Sequence, residues 1–146
     1  MGYSVEKGVV LARSGEHPGL ICRMASGWVV LADMQYLKGY CILLADPVVS
    51  SLNDLNQEQR ADFLQDMVKI GDALMLVTGA YRINYAVMGN SDPYLHAHIV
   101  PRFKDEPEIY LHDQPWAYPK NITTGRMFDE ERDRELIQQL RKAIEQ

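Results

Sequence analysis

Asn90-Ser91-Asp92-Pro93-Tyr94-Leu95-His96-Ala97-His98-Ile99-Val100-Pro101-Arg102-Phe103 is the stretch on which the fold turns. It carries two of the chain's four histidines, one residue apart. In a β-strand, residues two apart share a face. Leu95, Ala97 and Ile99 fill the alternate positions and are apolar. The pattern predicts a half-buried strand, with Tyr94, His96 and His98 on its open face. Asn90 to Pro93 bring the chain in with turn chemistry. Pro101 has no N–H to donate and is expected to end the ladder.

Two adjacent imidazoles admit three readings. They can be half-buried surface residues. They can be metal ligands, since neutral imidazole binds metals well. They can also do phosphate chemistry, one attacking phosphorus while the other donates to the phosphate oxygens. Spacing alone leaves all three open.

Outward from this strand, Arg82 to Met88 alternates polar and apolar side chains and should pair antiparallel with it across the Gly89–Pro93 turn. Before that, Asn56 reads as an N-cap, with Gln59 completing a capping box. A long helix follows. Its apolar stripe is Phe63, Leu64, Met67, Val68, Ile70, Gly71, Leu74, Met75 and Thr78, with Asp62, Gln65, Asp66, Lys69 and Asp72 on the other face. Gly79 is placed to stop it. The methionines of the stripe read as core, not as a ligand box. Leu20 to Met24 and Trp28 to Ala32 read as a hairpin around Ala25-Ser26-Gly27, and Tyr40 to Ala45 as a central strand closed by Asp46-Pro47.

The ends are less patterned. Ser4 to Arg13 fits a short helix or an edge strand, and His17 is expected on the surface of the Gly15–Gly19 loop. Beyond Phe103 runs a proline-rich loop with Tyr110, Trp116 and Tyr118, suited to packing on its own or a neighbouring subunit. His112 in it is expected on the surface. Asp129 to Glu145 should close the chain as a helix, burying Leu136, Ile137, Leu140, Ala143 and Ile144. The sum is an α+β architecture.

Composition narrows the partners. A chain of 146 residues makes one domain, 1–146, with a core of its own. A net charge of −5 disfavours a duplex nucleic-acid binder, which wants a basic face, but allows a small anionic ligand held by local donors. Cys22 and Cys41 make neither a disulfide scaffold nor a zinc knuckle. They read as buried reduced thiols, which fits a cytoplasmic protein. No segment approaches the roughly 20 apolar residues of a membrane-spanning helix, so no membrane partner is expected.

His96-Ala97-His98-Ile99-Val100-Pro101-Arg102, after Gly89-Asn90 and a short turn, resembles the active-site strand of the histidine triad superfamily of nucleotide hydrolases and nucleotidyl transferases. Their signature is His-φ-His-φ-His-φ-φ, often followed by Pro-Arg. Alignment on Val100-Pro101-Arg102 puts His98 at the last histidine and His96 at the middle one. The first position falls on Tyr94, a departure. The region around Asp33, Gly39, Cys41–Ala45 and Ser51-Leu52-Asn53-Asp54-Leu55 also resembles the family. Many members carry a further histidine before that last motif, where this chain has Val48 and Val49. The resemblance covers about residues 20–105.

The resemblance implies an antiparallel sheet of about five strands with one long helix and a C-terminal helix, pairing into a homodimer. It implies that His96 attacks the α-phosphate of a nucleotide or dinucleotide, and that a nucleotidyl-histidine forms and is hydrolysed. His98 would hydrogen-bond the phosphate or leaving oxygen. Asp33 would hold the ribose hydroxyls, and Asn90 would stand near the phosphates. The main-chain carbonyl at Tyr94 would orient His96, while the Tyr94 ring would reshape the pocket wall. No cofactor is needed, though a divalent cation can arrive with the substrate phosphates. Two alternatives stand beside this hydrolase: a nucleotide-binding protein of weak catalysis, and a metal-dependent protein using the histidine pair.

Overall fold

A computed structural model describes residues 2–146. The sheet has five antiparallel strands, in the order β1 (Leu20–Met24), β2 (Gly27–Leu31), β3 (Cys41–Ala45), β5 (His96–Arg102), β4 (Arg82–Ala86). The nearly all-apolar run at 41–45 is central, as expected from a strand covered on both faces.

One face of the sheet carries the main core. Val29, Leu31, Cys41, Leu43, Ala97 and Ile99 meet Phe63, Met67, Ile70 and Leu74 of α2 (Gln57–Thr78) and Leu136, Ile137 and Leu140 of α5 (Arg134–Glu145). α2 begins where its cap predicts: the Asn56 side chain accepts from the Gln59 amide at 2.8 Å, and the Gln59 side chain accepts from the Asn56 amide at 2.9 Å. It ends at Gly79, whose φ of 76° suits a residue without Cβ.

The opposite face is covered at its two ends only. At one end lies α1 (Val5–Arg13), whose Val5 and Val9 pack on Val30 and Leu44. Ser4 caps it, which settles the terminal segment as a helix. At the other end Tyr40, Val100 and Tyr118 form a second small cluster with Ala32 and Leu37. His96 and His98 stand on this face. The chain after β5 folds back over it through short helices α3 (Glu108–Leu111) and α4 (Lys120–Thr123).

Several expectations are corrected. Pro101 does not end the ladder; β5 continues to Arg102, pairing Pro101 with Ile83. The Arg102 carbonyl accepts from the Tyr81 amide, so the Pro101 nitrogen faces the other edge, where β3 has already ended at Cys41 opposite Ile99. The stripe of α2 is narrower than drawn. Leu64, Val68 and Met75 are exposed, while Asp66 is buried and accepts from the Ser26 amide and hydroxyl at 2.8 and 2.6 Å. The buried carboxylate needs donors, and the β1–β2 turn supplies them. α5 starts at Arg134, not Asp129, because residues 130–133 form a turn held by the Asp133 carboxylate on the Asp129 amide. No helix among the described residues is long and apolar enough to cross a membrane.

Candidate functional site

Strand register places the two imidazoles. His98 stands opposite Ile42 and His96 opposite Leu44 on β3, while Leu95, Ala97 and Ile99 are buried on the other face. The alternation read from the sequence is therefore the one observed. The two rings lie 5.0 Å apart between centroids, edge to face, and both are half-buried.

Each ring is held through its Nδ1, by a different partner. His96 Nδ1 is 2.7 Å from the main-chain carbonyl oxygen of Tyr94. A carbonyl only accepts, so Nδ1 carries the proton, and in the neutral ring the lone pair is on Nε2. His98 Nδ1 is 2.6 Å from the Tyr40 hydroxyl. Burial first, and His96 second, lower the His98 pKa to about 4, so this ring is neutral at pH 7.

The Tyr94 ring stands at the edge of the site, beside His96. It packs on the Val5, Val9, Val30 and Leu44 cluster beneath α1. Asp92 ties the same corner together, one carboxylate oxygen accepting from the Val5 amide at 2.8 Å. The turn that leads into the histidine strand thus also anchors the N-terminal helix.

Beside His96 opens a cleft of about 150 Å³, lined by Ser50, Ser51, Asn53, Val87, Met88, Gly89 and Tyr94. The hydroxyls and amide at its rim escaped sequence reasoning; the Ser-Leu-x-Asp-Leu motif was the signal that could have found them. Asn90 is exposed, and its neighbour Gly89, not Asn90, lines this cleft.

Asp33 lies just past the end of β2. It lines a small cleft with Tyr3, His17, Ile42 and Leu44, the last two being the cross-strand partners of the histidines. Asp33 and the imidazoles therefore share one sheet face. Burial raises the Asp33 carboxyl above its ordinary value. His17 is not the surface residue expected. It is buried, its Nδ1 accepts from the Gly19 amide at 3.0 Å, and its ring meets Tyr3 edge to face. Burial lowers its pKa. His112 is exposed, as expected.

Trp116 was read only as part of an aromatic loop. It reaches back to its own subunit's site, 5.2 Å from His98 between ring centroids and at 82°. Arg102 explains how. Its guanidinium donates to Glu106, to the Tyr110 and Asp113 carbonyls and to Asn84. Tyr118 donates to Glu106 at 2.6 Å, and Tyr36 to the Pro115 carbonyl at 2.8 Å. The segment is thus fastened on both sides of Trp116.

Among the described residues, no three His, Cys, Asp or Glu side chains cluster as a metal site would require.

By sequence, the chain matches no family model and no curated relative. By structure, it is similar to a histidine triad protein from Marinobacter aquaeolei, with a TM-score of 0.72, 20% identity, and 86% of this chain and 88% of that one covered. A histidine triad protein from Sinorhizobium meliloti superposes with a TM-score of 0.72 at 19% identity, covering 92% of this chain and 93% of that one. A hypothetical histidine triad nucleotide-binding protein from Sulfolobus tokodaii gives 0.71 at 13% identity, covering 95% and 91%. The fold is that of histidine triad proteins, an α+β fold built on a five-stranded antiparallel sheet.

Proposed function

We propose that this protein is a nucleotide hydrolase that cleaves a phosphoanhydride or phosphoramidate bond, as in dinucleoside polyphosphates, through a nucleotidyl-His96 intermediate. The observation that carries this reading is the 2.7 Å contact between His96 Nδ1 and the Tyr94 carbonyl. In the neutral ring this leaves the lone pair on Nε2, which is the state a nitrogen nucleophile needs. In the first step Nε2 forms a bond to the α-phosphorus, and the bond from phosphorus to the leaving oxygen or nitrogen breaks. In the second, water attacks phosphorus, the P–N bond breaks, and the mononucleotide leaves. His98 is assigned the donation to a phosphoryl or leaving oxygen. Asp33, on the same face, is assigned to the ribose hydroxyls. Asn90 keeps only a peripheral role near the phosphates, given its exposure. The residues require no cofactor for this chemistry, and a divalent cation would come with the substrate phosphates.

A second reading has one observation in its favour. The Tyr94 ring packs on the cluster of Val5, Val9, Val30 and Leu44 beneath α1, and Tyr94 lines the cleft beside His96, so a tyrosine helps shape the site where the family signature has an imidazole. A site so reshaped could bind a nucleotide and turn it over weakly. Incubation with an α-labelled nucleotide polyphosphate or phosphoramidate, followed by rapid quenching under alkaline conditions that preserve a phosphohistidine bond, separates the two. A trapped label supports the hydrolase, and tight binding without label supports the binding module.

We further propose a homodimer. β4 is an edge strand, and exposed Leu64, Val68, Met75 and Leu76 on α2 continue onto Tyr85 of that strand. Tyr85 lies across Gly71, where a Cβ would come within 2.0 Å of its hydroxyl. An open edge beside an apolar helix face is a surface that pairing with a second copy would cover. The two buried, unpaired cysteines support a reducing, cytoplasmic setting.

A further inference from the structure

We propose that Tyr40 is a positioning residue for His98, its phenol O–H donating to Nδ1 and so fixing the imidazole in the neutral form that carries its proton on Nε2. What this does for catalysis rests on the hydrolase reading above; the assignment itself rests on geometry.

The Tyr40 ring is 2% exposed and packed among Leu37, Val100 and Tyr118. Its backbone is pinned as well. The Tyr40 carbonyl accepts from the Ala32 amide and from the Gln35 side chain, each at 2.9 Å, and the Tyr40 amide donates to the Leu37 carbonyl at 3.1 Å. The phenol cannot swing away without opening that cluster.

Burial pushes the Tyr40 pKa upward, so the hydroxyl keeps its proton and must place it on an acceptor. Its hydroxyl lies 2.6 Å from His98 Nδ1, and the Trp116 indole N–H, which can only donate, is directed at the same oxygen, so the phenol proton is left for the imidazole. An acceptor nitrogen is unprotonated, so in a neutral ring the remaining proton is on Nε2. Trp116 closes on the same ring at 5.2 Å and limits its rotation.

The two neighbouring imidazoles are therefore set in opposite states. His96 has its proton on Nδ1, against a carbonyl, and offers a lone pair from Nε2. His98 has its lone pair on Nδ1, against a phenol, and offers an N–H from Nε2. Two rings left to solvent would sample both tautomers. Here one is set to attack and the other to donate.

Nitrogen-15 NMR of histidine-labelled protein tests this directly, with wild type compared to Tyr40→Phe. The expected wild-type spectrum has an unprotonated Nδ1 and a protonated Nε2 for His98 at neutral pH. In Tyr40→Phe the His98 nitrogens should move toward the tautomer average while those of His96 stay in place. Nucleotidyl-enzyme formation in a single turnover should slow roughly three- to tenfold, the worth of one ordinary hydrogen bond, with nucleotide affinity unchanged. Should Tyr40→Phe fail to fold, a ring-fluorinated tyrosine at position 40 keeps the shape and makes the donor more acidic, and it should shift the His98 Nδ1 resonance. A wild-type proton on Nδ1, or a His98 spectrum indifferent to both changes at position 40, overturns the proposal. If the tautomer responds as expected but no nucleotide labels the wild type, the positioning role stands and the hydrolase reading falls.

Discussion

Arg102 Nη2 and Glu106 Oε1 are 2.9 Å apart in a buried ion pair, and the chain that carries Trp116 to His98 hangs from it. Both side chains are at most 5% exposed. Breaking such a pair strands a charge in the interior. Arg102→Ala should destabilise the fold by about 3–5 kcal/mol in urea denaturation. Arg102→Lys should recover only part, since one ammonium cannot reproduce a fork that serves Glu106, Asn84 and two carbonyls. Trp116 fluorescence, read in a Trp28→Phe background, should report release of the indole. An unchanged unfolding midpoint would show that the pair does not hold this segment.

Asp33→Ala should weaken nucleotide binding more than it slows the chemical step. The side chain is separated from the imidazoles by the Ile42 and Leu44 positions of the sheet, so its assigned partner is the ribose rather than phosphorus. Lost hydrogen bonds to a charged group are worth roughly 1.5–3 kcal/mol. Calorimetry with a nucleoside monophosphate reads this directly. Equal affinity in wild type and variant would remove Asp33 from the site.

Much of the histidine strand was legible because its signal is local. A period of two between Leu95, Ala97 and Ile99 fixes a face without knowledge of the neighbouring strands. The cap of α2 was legible for the same reason, since Asn56 and Gln59 answer one another within one turn. The second half of the site was not. Tyr40 reads as one more apolar residue at the start of a central strand, and only the register that sets Ile42 opposite His98 brings its hydroxyl to an imidazole. Trp116 and His17 are hidden likewise, since long-range packing places them and no spacing announces it. Asp66 and Leu64 exchanged their expected environments because helical periodicity gives a stripe but not which edge of it meets the sheet.

Sedimentation equilibrium should give the dimer mass at micromolar concentration. Leu76→Glu places a charge on the most exposed apolar side chain of α2 and should shift the mass toward the monomer with little effect on folding. A monomer mass for wild type would remove the dimer, and a Leu76→Glu dimer would move its interface elsewhere.

Stability should fall as pH drops from 7 to 5. The folded His98 pKa is about 4, against an ordinary value of 6.5, and burial lowers His17 in the same direction. Between those values the unfolded chain binds more protons than the folded one, so stability rises with pH there and is lost on acidification. The groups facing His98 are His96, Tyr40 and Trp116, none of them an acid that could reverse the sign. Urea midpoints at pH 7 and pH 5 measure the loss. His98→Gln should shrink the difference, and an equal difference in that variant would clear His98 of the effect.

The sharpest test sets Tyr94 against His96. If His96 attacks phosphorus and the Tyr94 carbonyl orients it, the two positions should answer substitution differently. His96→Ala and His96→Asn remove the attacking nitrogen, and turnover should fall by several orders of magnitude, as loss of a covalent nucleophile does. Tyr94→His leaves the main-chain carbonyl in place, so the 2.7 Å contact survives. The smaller ring loses some packing against Val5, Val9, Val30 and Leu44 and alters one wall of the cleft beside His96, so the rate should change by a modest factor. Tyr94→Phe keeps that packing and should be tolerated unless the hydroxyl touches substrate. Single-turnover kinetics with an α-labelled nucleotide, together with acid-labile trapping on each variant, distinguishes the cases. Label on wild type and none on His96→Ala supports the nucleophile. Label on Tyr94→His but not on wild type would make the natural protein a nucleotide binder whose chemistry is suppressed at position 94. No label on either, with no turnover of any nucleotide tried, would leave the binding module as the function of this site.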